Sequence, residues 1–439
     1  MIVTNLVTEL KELVSEDQIK PGESRPLGNT GEVTVFPRTE EEISRVLKYG
    51  NDHEKRLSIT GGGTKRGFGG LTESADIELS LSEYKGIVEH TVGDMTLTVK
   101  AGTSFKEVQD YLAQYNQTIS LDPSWPEHAT IGGIIAANES GPKRLGYGSA
   151  RDVVIGLRTV YPDGTVIRSG GKVVKNVAGY DMNKLFIGSM GTLGVVSEVT
   201  VKLRPLPKYE SLILLSFPDG SHEQIREFVV KLLDSMMEPV TLELLSPPLS
   251  SKLIDKELYS LAISFQDVES SVHYQEEFVK KMQPTGTELM VYAQSEARNF
   301  WESFYKIGPN GAVYELKEET EASLKIGVKN LDVLKVIKES ELLQDSYNLH
   351  IDAHGGLGHG LCTLHLRGAS EDILSAIHQL RESVSQLGGY VIIKHLPFVL
   401  RQKIDVWGQT PSYFILLEGI KSKIDPKGIL NPKRFVGGI

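Results

Sequence analysis

Apolar and polar positions alternate along this chain with two periods, which predict short strands and amphipathic helices. Capping boxes at residues 39–42 and 104–107 each precede an apolar stripe at helical spacing, so a helix is predicted to begin at both places. Gly50 is predicted to end the first of these helices. Residues 56–60 have the pattern of a strand that leads directly into a glycine-rich loop.

The pattern changes after a proline-punctuated linker at residues 204–207. From there on, strand-like and helix-like segments alternate without the glycine clusters of the first part of the chain. This organisation predicts an α+β protein with more than one domain. With 439 residues, of which 40% are apolar, the chain is long enough for two or three hydrophobic cores.

The central glycine-rich run, residues 130–152, combines small residues with an apolar stripe. Around Gly132 and Gly133 no bulky side chain separates the backbone from whatever lies beside it. Glycine also permits the positive φ angles that turn successive N–H groups toward an anion. The run therefore suits a flat cofactor that carries phosphate, although tight packing of a helix against a strand would need the same residues.

The glycine loop at residues 61–70 does not match the common nucleotide motifs. A dinucleotide fingerprint needs glycine at position 66, where this chain has Arg66, and no Walker-type lysine motif occurs. The loop nevertheless offers backbone N–H groups, the Thr64 hydroxyl and the Lys65 charge to a pyrophosphate. The alternative is a flexible surface turn.

Charge and cysteine content exclude several functions. The chain has 47 basic and 57 acidic residues, a net charge of −10, and no block of one sign that would indicate nucleic-acid binding. The single cysteine, Cys362, excludes an internal disulfide and a cysteine-ligated cluster within this chain. No signal peptide and no run of roughly 20 apolar residues is apparent, so a cytoplasmic location is expected.

Five motifs in order carry a resemblance to a known family: ITGGGTKRG, TIGGIIAANESGPKRLGYGSARD, VVKNVAGYD, GSMGTLGVVSEV and DPKGILNP. Together they resemble the vanillyl-alcohol-oxidase-type (PCMH-type) FAD-binding family, and within it the FAD-binding subunits of bacterial glycolate oxidases. The resemblance implies a two-subdomain FAD-binding domain at residues 1–207 and an α+β cap domain at residues 208–405. It also implies that a C-terminal segment, residues 406–439, packs on the FAD domain.

The resemblance also implies which residues contact FAD. Binding is expected to be non-covalent, because residues 61–70 contain no histidine or cysteine to which the flavin could be tethered. The implied contacts are Thr60, Gly61, Gly62, Gly63, Thr64, Lys65, Gly67, Pro123, Thr130, Ile131, Gly132, Gly133, Ile134, Asn138, Gly141, Pro142, Arg144, Tyr180, Gly194 and Val196.

Oxidation of a 2-hydroxy acid needs a base for the hydroxyl proton and a cation for the carboxylate. His395 is the candidate base and Arg401 the candidate carboxylate clamp, since both follow a predicted strand that returns to the flavin. His354 is a third catalytic candidate. The chain departs from fully equipped relatives at residues 394–396, which read Lys-His-Leu where the family has Glu-His-Gly.

No metal site is predicted, although a second interpretation of the histidines is open. His354 and His359, with Asp352, could supply three metal ligands. The alternative is that His350, Asp352 and His354 form one polar face of a strand, which a neighbouring strand with His365 and Arg367 extends.

The resemblance implies an FAD-binding subunit of a glycolate oxidase-like dehydrogenase complex that passes electrons from glycolate or D-lactate through FAD to a partner iron–sulfur subunit. Because of the departure at residues 394–396, a non-catalytic FAD electron-transfer or scaffold subunit beside a paralogous FAD subunit is an alternative. A free-standing flavin alcohol oxidase is another. The expected partners are these subunits and a small 2-hydroxy acid, with at most peripheral membrane association through the complex.

Overall fold

The fold comes from a computed structural model that describes residues 2–172, 179–315 and 317–439. The VVKNVAGYD motif, residues 173–181, lies mostly outside the described residues. Among the residues that are described, no helix is long and apolar enough to cross a membrane.

The first half of the chain forms a four-stranded sheet, a five-stranded sheet and a pair of short strands. Its strands are β1 (Ile19–Pro21), β2 (Thr30–Val35), β3 (Leu57–Thr60), β4 (Ser74–Ser80), β5 (Ile87–Thr91), β6 (Thr96–Lys100), β7 (Gln117–Thr118), β8 (Val154–Val160), β9 (Val166–Gly170), β10 (Val195–Lys202) and β11 (Arg204–Pro205). One sheet has the order β1-β2-β4-β3, in which β2, β4 and β3 run parallel. The other is antiparallel, in the order β5-β6-β10-β8-β9, and β7 pairs with β11.

A larger antiparallel sheet, the cap sheet, follows. Its strands are β12 (Tyr209–Phe217), β13 (Thr241–Leu245), β14 (Tyr259–Asp267), β15 (Glu288–Ala293), β16 (Thr320–Gly327), β17 (His350–Gly356), β18 (Leu361–Gly368) and β19 (Tyr390–His395). Their order is β15-β12-β14-β13-β17-β18-β16-β19. Residues on both faces of β12 are buried, because Ile213 packs into one core and Leu212 into another. The predicted domain boundary at residue 207 falls between β11 and β12.

Helices cover these sheets. They are α1 (Ile2–Leu10), α2 (Glu40–Asp52), α3 (Phe105–Ala113), α4 (Ile131–Ala137), α5 (Arg144–Tyr147), α6 (Ala150–Val153), α7 (Asn183–Phe186), α8 (His222–Leu233), α9 (Pro247–Ile254), α10 (Glu269–Met282), α11 (Ser295–Phe304), α12 (Val333–Tyr347), α13 (Ser370–Gln386), α14 (Phe398–Arg401) and α15 (Phe414–Ile424). Both predicted capping boxes are confirmed, at the starts of α2 and α3. The predicted end of α2 at Gly50 is wrong, because the helix continues to Asp52 and Gly50 instead allows close packing on Leu57.

The chain after α15 returns to the first half of the protein. Leu430 forms a parallel bridge with Leu57 of β3. The side chain of Asn431 accepts a hydrogen bond from the Ile59 N–H at 2.8 Å and donates one to the Met190 carbonyl at 2.7 Å. The tail therefore holds β3 and the turn before β10 in place. With mixed sheets and helices throughout, the predicted α+β class is confirmed.

Candidate active site

A long cleft runs between the glycine loop that follows β3 and the turn that precedes β10. Its empty space, counted together with the part that is open to solvent, is about 840 Å³. Its walls come from β3, the loop, α4, the turn and Asn431 of the tail. The residues implied to contact FAD that line the cleft are Thr60, Gly61, Gly62, Gly63, Thr64, Lys65, Thr130, Gly132, Gly133, Gly194 and Val196.

Glycines of α4 shape this cleft in two ways. A Cβ on Gly132 would lie 2.6 Å from the Cβ of Ala101, so glycine there lets α4 lie against the neighbouring backbone. A Cβ on Gly133 meets only the Thr130 hydroxyl oxygen, at 3.1 Å, and otherwise faces open space. Gly133 therefore keeps the cleft open, whereas Gly132 lets its wall pack closely.

Backbone N–H groups of the glycine loop are free to bind an anion. Those of residues 62–65 donate no hydrogen bond to any part of the chain that the structure describes. The N–H groups at the start of α4 are already used, since those of Ile131 and Gly132 donate to backbone carbonyls at 2.9 and 2.8 Å. A pyrophosphate would offer acceptors to these N–H groups beside the Lys65 side chain. The cleft thus has the donors that the pyrophosphate of FAD would need, and they belong to the loop rather than to the start of the helix.

The other implied FAD contacts lie elsewhere. Ile131 and Ile134 are buried in the hydrophobic core, and Asn138 ends α4 in a left-handed conformation. Tyr180 is 89% exposed. The implied contacts that do not line the cleft are Gly67, Pro123, Ile131, Ile134, Asn138, Gly141, Pro142, Arg144 and Tyr180. Of these, Gly141 and Pro142 line a neighbouring cavity.

This second cavity adjoins the cleft, and Thr64 and Lys65 line both. It lies between the glycine loop, the segment after α4 and the strands β17, β18 and β19, and its empty space, counted together with the part open to solvent, is about 620 Å³. Its titratable lining residues are Lys65, Asp122, Glu139, Tyr305, His354, His365, Lys394 and His395. A ligand in the cleft and a ligand in this cavity would meet at the glycine loop.

A buried cluster of three charges lies where the two spaces join. The Lys65 ammonium is 3.0 Å from one carboxylate oxygen of Glu139, and the Lys394 ammonium is 2.6 Å from the other. Burial alone would raise the pKa of Glu139, but the two lysines hold it well below its usual range. Burial, reinforced by the Lys394 charge, lowers the pKa of Lys65, and the Glu139 charge opposes that shift. With both lysines protonated, the three groups carry one surplus positive charge at the edge of the cavity.

His354 forms a pair with a carboxylate at the opposite wall. Its Nδ1 lies 2.6 Å from an oxygen of Glu243, a residue of β13. The ring of Phe304 packs edge-on against the imidazole, with 4.8 Å between ring centroids. The pair and the aromatic contact together fix the orientation of the imidazole.

His395 faces the cavity, whereas Arg401 does not. Nε2 of His395 is buried without a partner among the described residues, and burial, reinforced by the nearby Arg401 charge, lowers the pKa of His395 to about 3. The Arg401 side chain is 1% exposed and donates hydrogen bonds to the carbonyls of Arg66 and Leu27. This geometry does not support the carboxylate clamp predicted at Arg401, because the side chain does not line the cavity. Two of its nitrogens donate to backbone carbonyls and join the cap to the glycine loop, whereas its Nε is buried without a partner among the described residues.

The polar-face interpretation of β17 is confirmed. His350 pairs with Arg367 and Asp352 with His365 across β17 and β18, so all four lie on one face of the sheet. Asp352 is 3.2 Å from the Lys252 ammonium. Among the residues that the structure describes, no group of three histidine, cysteine, aspartate or glutamate side chains is arranged to hold a metal ion.

Three acidic residues of this region were not predicted from the sequence. Glu139 directly follows the small-residue run, where a carboxylate is unexpected, and that position was a usable signal. Glu243 lies in an otherwise apolar strand, TLELL, which is a weaker signal of the same kind. Asp122 accepts hydrogen bonds from the N–H groups of Gly141 and Lys143, and burial raises the pKa of Asp122 to about 6.

The cleft and the fold define a class, that of FAD-binding oxidoreductases. Residues 31–170 match the family described as FAD binding domain. This domain match agrees with the resemblance to the vanillyl-alcohol-oxidase-type (PCMH-type) FAD-binding family. The cofactor of the chain is FAD, and the chain is an FAD-dependent oxidoreductase.

Individual relatives are similar over nearly the whole chain. The glycolate oxidase subunit GlcD of Bacillus subtilis is 29% identical, over 92% of this chain and 88% of that protein. A D-lactate dehydrogenase of Archaeoglobus fulgidus is 28% identical, over 92% of this chain and 91% of that protein. Among solved structures, 4-ethylphenol oxidase from Gulosibacter chungangensis shares the fold, with a TM-score of 0.77 at 14% identity, covering 98% of this chain and 96% of that one.

Proposed function

We propose that the chain is the FAD-bearing subunit of a dehydrogenase that oxidises a small 2-hydroxy acid such as glycolate or D-lactate. The observation that carries the proposal is the second cavity, which joins the FAD cleft at Thr64 and Lys65 and has a surplus positive charge at that edge. An anionic substrate held there lies beside the cofactor. The names of the relatives, a glycolate oxidase subunit and a D-lactate dehydrogenase, support the same substrate class.

Different residues of the cavity bind the carboxylate and the hydroxyl end of the substrate in this proposal. Lys394 and Lys65 replace Arg401 as the cations that receive the substrate carboxylate, because they line the cavity and Arg401 does not. His395 stays neutral, so its free Nε2 serves as a hydrogen-bonding partner for the substrate. FAD, when bound, supplies the two-electron acceptor. Binding is non-covalent in this proposal, since the described residues that line the cleft include no histidine or cysteine.

In this proposal the electrons pass from FAD to a partner subunit. Cys362 is the only cysteine and is buried, so an iron–sulfur cluster must be held by another polypeptide. A partner iron–sulfur subunit, with or without a paralogous FAD subunit, completes the proposed complex.

One observation favours the alternative of a non-catalytic FAD electron-transfer or scaffold subunit. The Lys394 ammonium already lies 2.6 Å from Glu139, so a substrate carboxylate must share it with a buried anion. In that case the partner oxidises the substrate, and this chain only relays electrons.

The experiment that separates the two is anaerobic. The purified chain, with its FAD confirmed by absorbance, receives glycolate or D-lactate, and the flavin band is followed. Bleaching by one of the acids is the expected result. A band that persists with both acids, yet bleaches with dithionite, contradicts the proposal and supports the alternative.

A further inference from the structure

We infer that His354 accepts the hydroxyl proton of the substrate and that Glu243 is the positioning residue that holds its imidazole in the required form. The inference rests on the proposed function, because it assigns a step of that reaction. It comes from a buried pair of side chains on two neighbouring strands of the cap sheet.

The register of the sheet places the two side chains together. β13 and β17 are antiparallel neighbours, and Leu245 lies opposite His354. Glu243 is two residues from Leu245 on the same strand, so it projects from the same face and reaches His354 diagonally. The side chains of Glu243 and His354 are 2% and 10% exposed, respectively. The contact between Nδ1 and the carboxylate oxygen, at 2.6 Å, is therefore shielded from water.

A carboxylate can only accept a hydrogen bond, so it selects one tautomer of its partner. The Glu243 oxygen requires the proton of neutral His354 to be on Nδ1. Nε2 then carries a lone pair, and it has no hydrogen-bond partner in the described part of the chain. His354 lines the second cavity, so the substrate is expected to meet this nitrogen.

The proposed step is a proton transfer. The O–H bond of the substrate breaks, its proton forms a bond to Nε2 of His354, and its electron pair remains on the oxygen that becomes the product carbonyl. FAD, when bound, would supply the oxidant that accepts the two electrons of the substrate carbon–hydrogen bond. The resulting imidazolium is balanced by the Glu243 carboxylate, which does not itself take up a proton.

The other histidines of the cavity are less suited to this step. Burial lowers the pKa values of both His365 and His395, and nearby positive charges, among them Arg401 and Lys65 beside His395, lower them further. An imidazolium at either position would lack the carboxylate contact that His354 has, since no described carboxylate lies within ion-pair distance of them.

Two readouts test the inference. In protein labelled with ¹⁵N-histidine, the resonances of His354 are identified by their loss in His354→Asn. We expect nitrogen shifts of a protonated Nδ1 and an unprotonated Nε2, and in Glu243→Gln a mixture of tautomers. In anaerobic mixing with the substrate, we expect Glu243→Gln to slow flavin reduction about 10- to 100-fold with KM changed less than about threefold, the range typical of residues that orient a reacting group.

A matched control is available elsewhere in the cap, where a half-exposed histidine pairs with a buried glutamate. His273 lies 3.0 Å from Glu276 in a similar histidine–carboxylate pair that does not line the cavity. Glu276→Gln should leave the reduction rate at the wild-type value. Glu243→Asp, which keeps the charge, should recover part of the lost rate.

The outcomes are distinguishable from failure of the proposed function. If wild-type flavin is reduced but Glu243→Gln or His354→Asn is reduced equally fast, the assignment of the base is wrong and the proposed function stands. If His354 in the wild type carries its proton on Nε2, the assignment is wrong whatever the rates. If no 2-hydroxy acid reduces the wild type, the proposed function fails and the proton transfer fails with it, whereas dithionite reduction shows that the flavin is intact.

Discussion

The cleft and the second cavity adjoin each other but are built in opposite ways. The walls of the cleft are mostly backbone and small residues, contributed by short motifs that are continuous in sequence. The wall of the second cavity contains many charged and aromatic side chains from segments far apart in the chain, as in the ion pair between Glu139 and Lys394. The comparison teaches that a cofactor in the cleft would be held by the shape and N–H groups of the backbone, whereas a substrate in the second cavity would depend on individual side chains.

The largest expected effect is loss of FAD from a variant in which the cleft is filled. Gly133→Val places two methyl groups in the open space beside α4, so we expect FAD content to fall at least tenfold. The fold should persist, because the new Cβ meets only Thr130 and valine is no worse than glycine in a helix. The measurement is the ratio of flavin to protein absorbance after gel filtration. Gly419→Val, at an open position of α15, is the control, and equal FAD content in the two variants would contradict this account of the cleft.

The contrast between local motifs and distant side-chain pairs explains which parts of the fold and the site can be predicted from the sequence. Capping boxes and glycine motifs depend on neighbours within a few residues, so the starts of α2 and α3 and the glycine-lined cleft follow from local patterns. The prediction that Gly50 ends α2 failed because the role of Gly50 is set by its contact with Leu57 rather than by its place in the helix.

The second cavity depends on pairings that no local pattern reveals. Arg401 follows a strand that returns to the flavin, which made it a reasonable clamp, but its hydrogen bonds go to carbonyls 335 and 374 positions away in sequence. Glu243 and His354 are 111 positions apart. Which charges meet in such a site is decided by strand order, and a single sequence does not state the order of strands within a sheet.

A smaller expected effect is the pH dependence of stability that comes from Lys325, a buried lysine near the second cavity. Burial, reinforced by the nearby Lys394 charge, lowers the pKa of Lys325 to about 8 from its ordinary value of 10.5, with Glu139 opposing and Arg144 adding to the shift. Between pH 8 and 10.5 the unfolded chain retains a proton that the folded chain has released, so the free energy of unfolding rises with pH. Below pH 8 Lys325 is charged in the folded chain as well, and burying that charge lowers the free energy of unfolding by roughly 3 kcal/mol.

Lys325→Met removes this charge. We expect it to raise the free energy of unfolding by roughly 3 kcal/mol at pH 7 and by progressively less toward pH 10.5, measured by urea unfolding at each pH. Lys106→Met, which removes an exposed lysine paired with Asp110, should change stability by less than about 1 kcal/mol at every pH. A difference between Lys325→Met and the wild type that does not vary with pH would show that Lys325 is not desolvated as described.

The most direct measurement of the central claim is the binding of an anion that cannot be oxidised. Oxalate has the carboxylate of a 2-hydroxy acid but no carbon–hydrogen bond, so its titration into the FAD-loaded protein reports binding through the flavin spectrum without turnover. We predict a saturable change in the wild type and in Lys106→Met, and at least tenfold weaker binding in Lys394→Met, equivalent to about 1.4 kcal/mol. A wild type without any saturable change, or Lys394→Met that binds oxalate as tightly as the wild type, would contradict an anion site beside the cofactor.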